Sequence, residues 1–202
     1  ALLDRLLPPA AARWTLATVD PRALSLYARA GMAPRWPNVE LRLEAETTGA
    51  LADAGVEAVA ADPTDPAFAA WDAEIGGRPR PEDTAYWLGR CRGVPLWFRR
   101  AGRTVGYGVV QREVRTVWTP RKIVVGPIGA RTAADAAACV LAAVAWALPH
   151  GPIVDVAVPG PHPALAPLLA AGGKIIYVET FCASDPSLVD PTRYLGSGSE
   201  LF

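Results

Sequence analysis

Two stretches of this chain repeat one design. Ala23-Leu24-Ser25-Leu26-Tyr27-Ala28-Arg29-Ala30-Gly31-Met32, near the start, reads as a short amphipathic helix closed by glycine. So does Ala164-Leu165-Ala166-Pro167-Leu168-Leu169-Ala170-Ala171-Gly172-Gly173, near the end. A β-like run precedes each: Trp14-Thr15-Leu16-Ala17-Thr18-Val19 in the first copy, Ile153-Val154-Asp155-Val156-Ala157-Val158 in the second. Another strand-like run follows each. A strand, a helix, a glycine and a strand at both ends imply that one kind of domain closes twice. The chain is then expected to open on the closing part of a first domain, residues 1–46. A small-residue linker at 47–55 leads to a complete second domain, 56–202. With 202 residues, 51% of them apolar, there is room for one and a half domains and for a real core.

Bulk properties narrow the function classes. Twenty basic and twenty acidic side chains cancel, so no global field points to nucleic acid. The longest apolar run, Ala133 to Leu148, contains Asp135 and is too short to span a bilayer. Three widely spaced cysteines, Cys91, Cys139 and Cys182, fit free thiols in a reducing cytoplasm. Two histidines without a paired spacing offer no metal site.

Local signals give the element order. Leu2, Leu3, Leu6 and Leu7 share one face of a helix end at 1–7, which Pro8 and Pro9 stop. Residues 13–19 read as a strand. Asp20-Pro21 starts a helix that runs to Ala30, and the alternation of Val39-Glu40-Leu41-Arg42-Leu43-Glu44 predicts a half-exposed strand. The second unit reads as a strand at 56–60, helices at 66–75 and 81–91, and a hairpin of 96–100 with 104–112. A third strand at 117–125 meets a turn at 126–131. A buried helix at 132–148, a strand at 153–158, a helix at 163–171 and a strand at 174–183 follow, and the tail reads as irregular. This is a mixed α/β unit, a central sheet flanked by helices.

That order, with a glycine-containing turn between a long strand and a long helix, resembles the GNAT superfamily of acetyl-CoA-dependent N-acetyltransferases. Residues 56–183 cover its whole order, and residues 1–46 are similar to its last third, as in a tandem two-domain member. The phrase Leu26-Tyr27-Ala28-Arg29-Ala30-Gly31-Met32 is close to the family's closing signature. The resemblance implies acetyl transfer from acetyl-CoA to an amine of a small molecule or peptide. It makes Tyr27 the general acid toward the leaving thiolate, and it sets the cofactor against Val125, Gly126, Gly129, Ala130, Arg131 and Thr132. The second copy departs from this pattern: Leu168 stands where Tyr27 stands, and leucine cannot donate a proton. Asp135 also departs. A pyrophosphate needs free N–H groups and a positive dipole end at a helix start, and a carboxylate there uses up both. Thr132-x-x-Asp135 reads as a helix cap. The alternative to an enzyme is therefore a non-catalytic module, shaping a pocket or interface for a catalytic domain outside this chain.

Other residues carry two readings each. Asp155 in an apolar strand is a tuned base or, more commonly, a hydrogen-bonded strand residue. Glu113 and Glu179 near strand ends are candidate bases. Tyr86, Trp87, Trp97 and Trp118 would line a pocket or fill the core. Cys139 reads as an inert buried thiol and His162 as a surface-loop residue. Gly106-Tyr107-Gly108 marks close backbone approach. Residues 1–46 cannot bury their own apolar faces, so they must dock on the rest of the chain or pair with another copy. Unmet strand-edge hydrogen bonds favour the homodimer.

Overall fold

The computed structural model describes residues 14–17, 20–44, 51, 55–114 and 122–197. The expected helix end at 1–7, most of the expected linker and Trp118 lie outside them. Strand β1 is Trp14–Ala17, helix α1 Pro21–Arg29, β2 Ala33–Glu44 and β3 Glu57–Ala60. Then come α2 (Pro66–Ile75), α3 (Pro81–Gly89), β4 (Val94–Arg100), β5 (Arg103–Val114), β6 (Lys122–Ala130) and α4 (Ala133–Ala147). The chain closes with β7 (Ile153–Pro159), α5 (Leu165–Ala170), β8 (Lys174–Ala183) and β9 (Tyr194–Leu195). From β3 to β8 this is the order read from the sequence.

Helix starts follow the local chemistry. The Asp20 carboxylate accepts the Arg22 N–H at 2.9 Å, and Asp65 accepts that of Ala67 at 2.9 Å, each with proline in the first turn. The strands form one sheet in the order β1-β8-β2-β7-β6-β5-β4-β3, with β9 against β6. Among the described residues, only β6 and β7 run parallel. Side-chain alternation splits the core between the two faces. On one face, Ala136, Cys139, Val140, Ala143, Val144 and Ala147 of α4 pack on Leu41, Leu43, Phe98, Val110, Val125 and Val156. On the other, Phe68 and Ile75 of α2 and Trp87 of α3 pack on Tyr107, Val109 and Phe181. The stretch Ala133–His150 has the length and apolarity of a membrane span, yet its buried side belongs to this core.

Two expectations are corrected. The third strand runs on to Ala130 instead of ending at 125, so the turn expected at 126–131 is mostly inside it, while 117–121 lie outside the described residues. Gly126 (φ 139°) and Pro127 bend β6 without ending it, because Ile128 and Gly129 go on pairing with β5 and with β9. The tail is not wholly irregular: Tyr194 and Leu195 are fully buried in β9.

The doubled phrase of the sequence is a doubled structure. A shift of 141 residues carries Gly31 (φ 83°) onto Gly172 (φ 96°). Both helices end in the same pair of bonds: Gly31 N–H to Ala28 O and Met32 N–H to Tyr27 O, then Gly172 N–H to Leu169 O and Gly173 N–H to Leu168 O. The same shift governs the sheet. Ala33 pairs with Ala183 and Arg42 with Lys174; Pro34 pairs with Cys182 and Leu41 with Ile175; Trp36 pairs with Phe181 and Glu40 with Tyr177. Asn38 opposite Glu179 is its own image. The outer strands obey it too, since Trp14–Ala183 and Ala17–Thr180 match Asp155–Arg42 and Val158–Val39. Two strand–helix–strand units therefore interlock about a local two-fold axis at Asn38 and Glu179. Each unit inserts its last strand between the two strands of the other. Residues 33–44 are thus docked within the chain, and both edges of β2 are paired there.

Candidate active site

Parallel strands that part create a cleft. Here β6 and β7 pair only over Ile123–Val125 and Val154–Val156. Beyond Val125 the bend at Gly126 turns β6 away, and the residues expected to hold a cofactor line the gap. The gap is filled by the chain itself. Ile128 and Gly129 pair with Leu195 and Tyr194 of β9, and the Ala130 N–H donates to Arg193 O at 2.9 Å. A Cβ on Gly126 would collide with the carbonyl oxygen of Gly196, so β6 and the tail touch backbone to backbone. Gln111, 2% exposed, donates from Nε2 to Gly126 O at 2.9 Å and fixes the bend.

The helix start beyond the cleft is equally engaged. The Arg131 N–H donates to Val105 O at 2.8 Å. Thr132 Oγ1 accepts the Asp135 N–H at 3.3 Å and donates to Asp135 Oδ2 at 2.7 Å. Arg100 Nη1 lies 3.1 Å from Asp135 Oδ1. Thr132 and Asp135 therefore form the cap read from the sequence, and Asp135 spends its charge on the helix dipole and on Arg100. Acetyl-CoA carries a pyrophosphate and an amide-bearing arm. Val125, Gly126, Gly129, Ala130, Arg131 and Thr132 do not suit it here, because the strand edge is taken by β9 and the N–H groups of Ala130, Arg131 and Asp135 by protein acceptors.

Tyr27 is elsewhere. It is half-buried on α1 and packs with Leu24, Ala30, Met32 and Cys182, in a cluster separate from the one that holds Val125 and Ala130. The other candidates resolve one by one. Asp155, 1% exposed, is a hydrogen-bonded strand residue: Arg42 grips both its oxygens at 2.9 Å, and Lys122 Nζ lies 3.3 Å away. The hydrogen bonds to the Asp155 carboxylate raise the Arg42 pKa above its usual range, with burial opposing. Glu113 pairs with Arg92 at 3.0 Å, and Glu179 is buried at the two-fold axis. Trp87 and Trp97 belong to the core, whereas Tyr86 is 46% exposed. Close approach holds at Gly106, where a Cβ would stand 2.8 Å from Cys139 Sγ. Burial pushes the Cys139 thiol up to about 12, which keeps it inert. His162 corrects its reading: it is 3% exposed, and Nδ1 accepts the Ala164 N–H at 3.1 Å ahead of α5.

Sequence reasoning missed a buried polar group. Arg80 and Asp72 form a salt bridge, the Tyr107 hydroxyl donates to Asp72 Oδ1 at 2.8 Å, and Arg80 lies over the rings of Trp87 and Tyr194 at 5.1 and 5.4 Å. Arg80 thereby anchors β9 to α2 and α3.

This fold, a mixed sheet whose two parallel strands part beside a capped helix, is that of the GNAT acyltransferases. No protein-family model and no curated protein matches the sequence. Solved structures do. A protein of Pyrococcus horikoshii proposed to be an acetyltransferase superposes with a TM-score of 0.62 at 15% identity, over 91% of this chain and 57% of its own. A GCN5-related N-acetyltransferase from Sphaerobacter thermophilus gives 0.53 at 17% identity, over 96% and 64%. One from Anabaena variabilis gives 0.54 at 12%, over 84% and 45%. The chain thus spans less than two thirds of each of these three proteins.

Proposed function

We propose that this chain is the closing part of a two-unit N-acetyltransferase and that its second unit, residues 56–202, is a non-catalytic partner. One observation carries the reading: β9 fills the cleft where an acyl carrier would lie. Leu168 in place of a proton donor and the Asp135 cap point the same way. The two-fold repeat supports a first unit, to which β1, α1 and β2 supply the closing strands and helix. Acetylation of an amine would belong to that unit, with Tyr27 as the acid that the family resemblance implies. Among the described residues that follow β2, Leu51 is buried in the core that α4 covers.

Calorimetry of this chain with acetyl-CoA is the test. The expected result is no heat of binding and no thermal shift. A site filled a hundredfold above its dissociation constant would add about 2.7 kcal/mol of stability. Saturable binding in the low micromolar range overturns the assignment.

A further inference from the structure

We propose that α1, β1 and the first half of β8 form the docking surface for a second acyltransferase-like body. That body seats a helix at the two-fold image of α4 and a strand at the image of β6. The inference rests on the two-unit reading above and names the surface that joins the units.

The argument compares images. In the second unit α4 closes over α5, so Ala164 and Leu168 are 0% exposed and Ala171 is 9% exposed. Their images on α1 are Ala23, Tyr27 and Ala30, all only half-buried, and α1 buries no residue at all. Leu26 on the same helix is 46% exposed. The outer edge of β7 is paired to β6 over Val154–Val156. Among the described residues, nothing pairs with the outer edge of β1.

Strand β8 shows the same deficit, on both of its faces. Ile175, Ile176, Tyr177 and Val178 are consecutive and 53%, 42%, 38% and 39% exposed. Four exposed apolar residues in one strand are rare on a finished surface. Tyr177 is the image of Trp36, whose ring stacks on Phe181 at 4.5 Å in the layer that α2 and α3 cover. Tyr177 lacks the image of that layer.

The occupant is not a second copy of this chain. A copy has one α4, one β6 and one α2, and each is already packed within its own second unit. The surface asks for another set. The sequence before β1 carries part of it. Shifted by 141, Leu2, Leu3, Leu6 and Leu7 align with Ala143, Val144, Ala147 and Leu148, the buried positions that close α4. Leu7-Pro8 repeats Leu148-Pro149.

Hydrogen exchange on this 202-residue chain and on the full-length gene product tests the proposal. Amides of residues 21–30 and 174–178 should exchange at least tenfold more slowly in the longer protein. Equal exchange overturns the proposal. In this chain alone, Leu26→Glu and Tyr177→Glu should leave the unfolding midpoint unchanged, because both side chains are exposed among the described residues. A large drop would mean the face is already covered and overturns it. A homodimer of this chain that either substitution dissociates assigns the face to a second copy and also overturns it. None of these readouts uses acetyl-CoA, so a failed cofactor assignment is distinguishable from a failed docking surface.

Discussion

Arg42 and Asp155 face each other across the β2–β7 pair, joined by two parallel hydrogen bonds of 2.9 Å. The contact ties the first copy of the repeat to the second, and it has no charged image: the shift of 141 puts Ala183 and Trp14 in the corresponding places. The salt bridge is therefore a feature of one side of the interlock. It lies where β2 pairs with β7 of the second unit. Lys122 Nζ, 3.4 Å from Glu40 Oε1, extends it to β6.

Removing the acid should be costly. Asp155→Ala removes the carboxylate that Arg42 and Lys122 both contact, at a site that is 2% exposed. The expected loss is about 3 kcal/mol in urea unfolding, the usual cost of breaking a buried pair from one side. The double substitution Arg42→Met, Asp155→Leu should recover most of it. A single-site loss below about 1 kcal/mol would mean that solvent reaches the pair.

Gly126 should tolerate no side chain. Its φ of 139° is one that L-residues rarely adopt, and a Cβ would meet the Gly196 backbone, which cannot swing aside. Gly126→Ala should expel β9 from the cleft. Amide exchange at Tyr194 and Leu195 should rise in this variant before exchange rises elsewhere. Unchanged protection there would show that β9 is held by Arg80 and its rings alone.

Stability should fall in mild acid because of His162. Burial lowers its pKa from 6.5 to about 4, with Asp190 opposing. Below pH 6.5 the unfolded chain therefore binds a proton that the folded chain refuses. Stability rises with pH between about 4 and 6.5 and is lost as pH falls through that window. At about 1.4 kcal/mol per pH unit, the total is about 3 kcal/mol. His162→Asn, whose side-chain oxygen can accept the Ala164 N–H, should flatten the profile over this window.

The fold was legible because its signals are local and repeated. Asp20-Pro21, Asp65-Pro66 and Thr132-x-x-Asp135 start helices by chemistry confined to one turn, and the alternation of Val39 to Glu44 is a two-residue period. The repeat was visible because both copies keep the glycine that ends the helix. What escaped is non-local. Tyr194-Leu195 is too short to show a period, and its strand character comes wholly from β6. His162 looked like a loop residue because flanking prolines mark loops, yet α5 and its neighbours bury it. The partnership of Asp72, Arg80 and Tyr107 spans separations that no sequence pattern encodes. The site followed the same rule: the Thr132–Asp135 cap could be read, and the strand that fills the cleft could not.

The two glycines that end α1 and α5 give the most direct test of the repeat. Both hold left-handed backbone, at φ 83° and 96°, and both complete the same pair of helix-closing bonds. Around Gly31 a Cβ would meet nothing within 4 Å, so Gly31→Ala is penalised by backbone conformation alone. The expected cost is about 1–2 kcal/mol, the strain of a left-handed residue with a Cβ. Gly172→Ala should cost at least as much, since its helix is packed under α4 while α1 is open. Asparagine, which tolerates the left-handed region, should restore part of the loss at both sites. The two costs should add in the double variant, because the glycines are separate ends of two helices. A Gly31→Ala variant as stable as the parent would show that α1 ends without the closing turn. The two copies would then share a sequence pattern and not a structure.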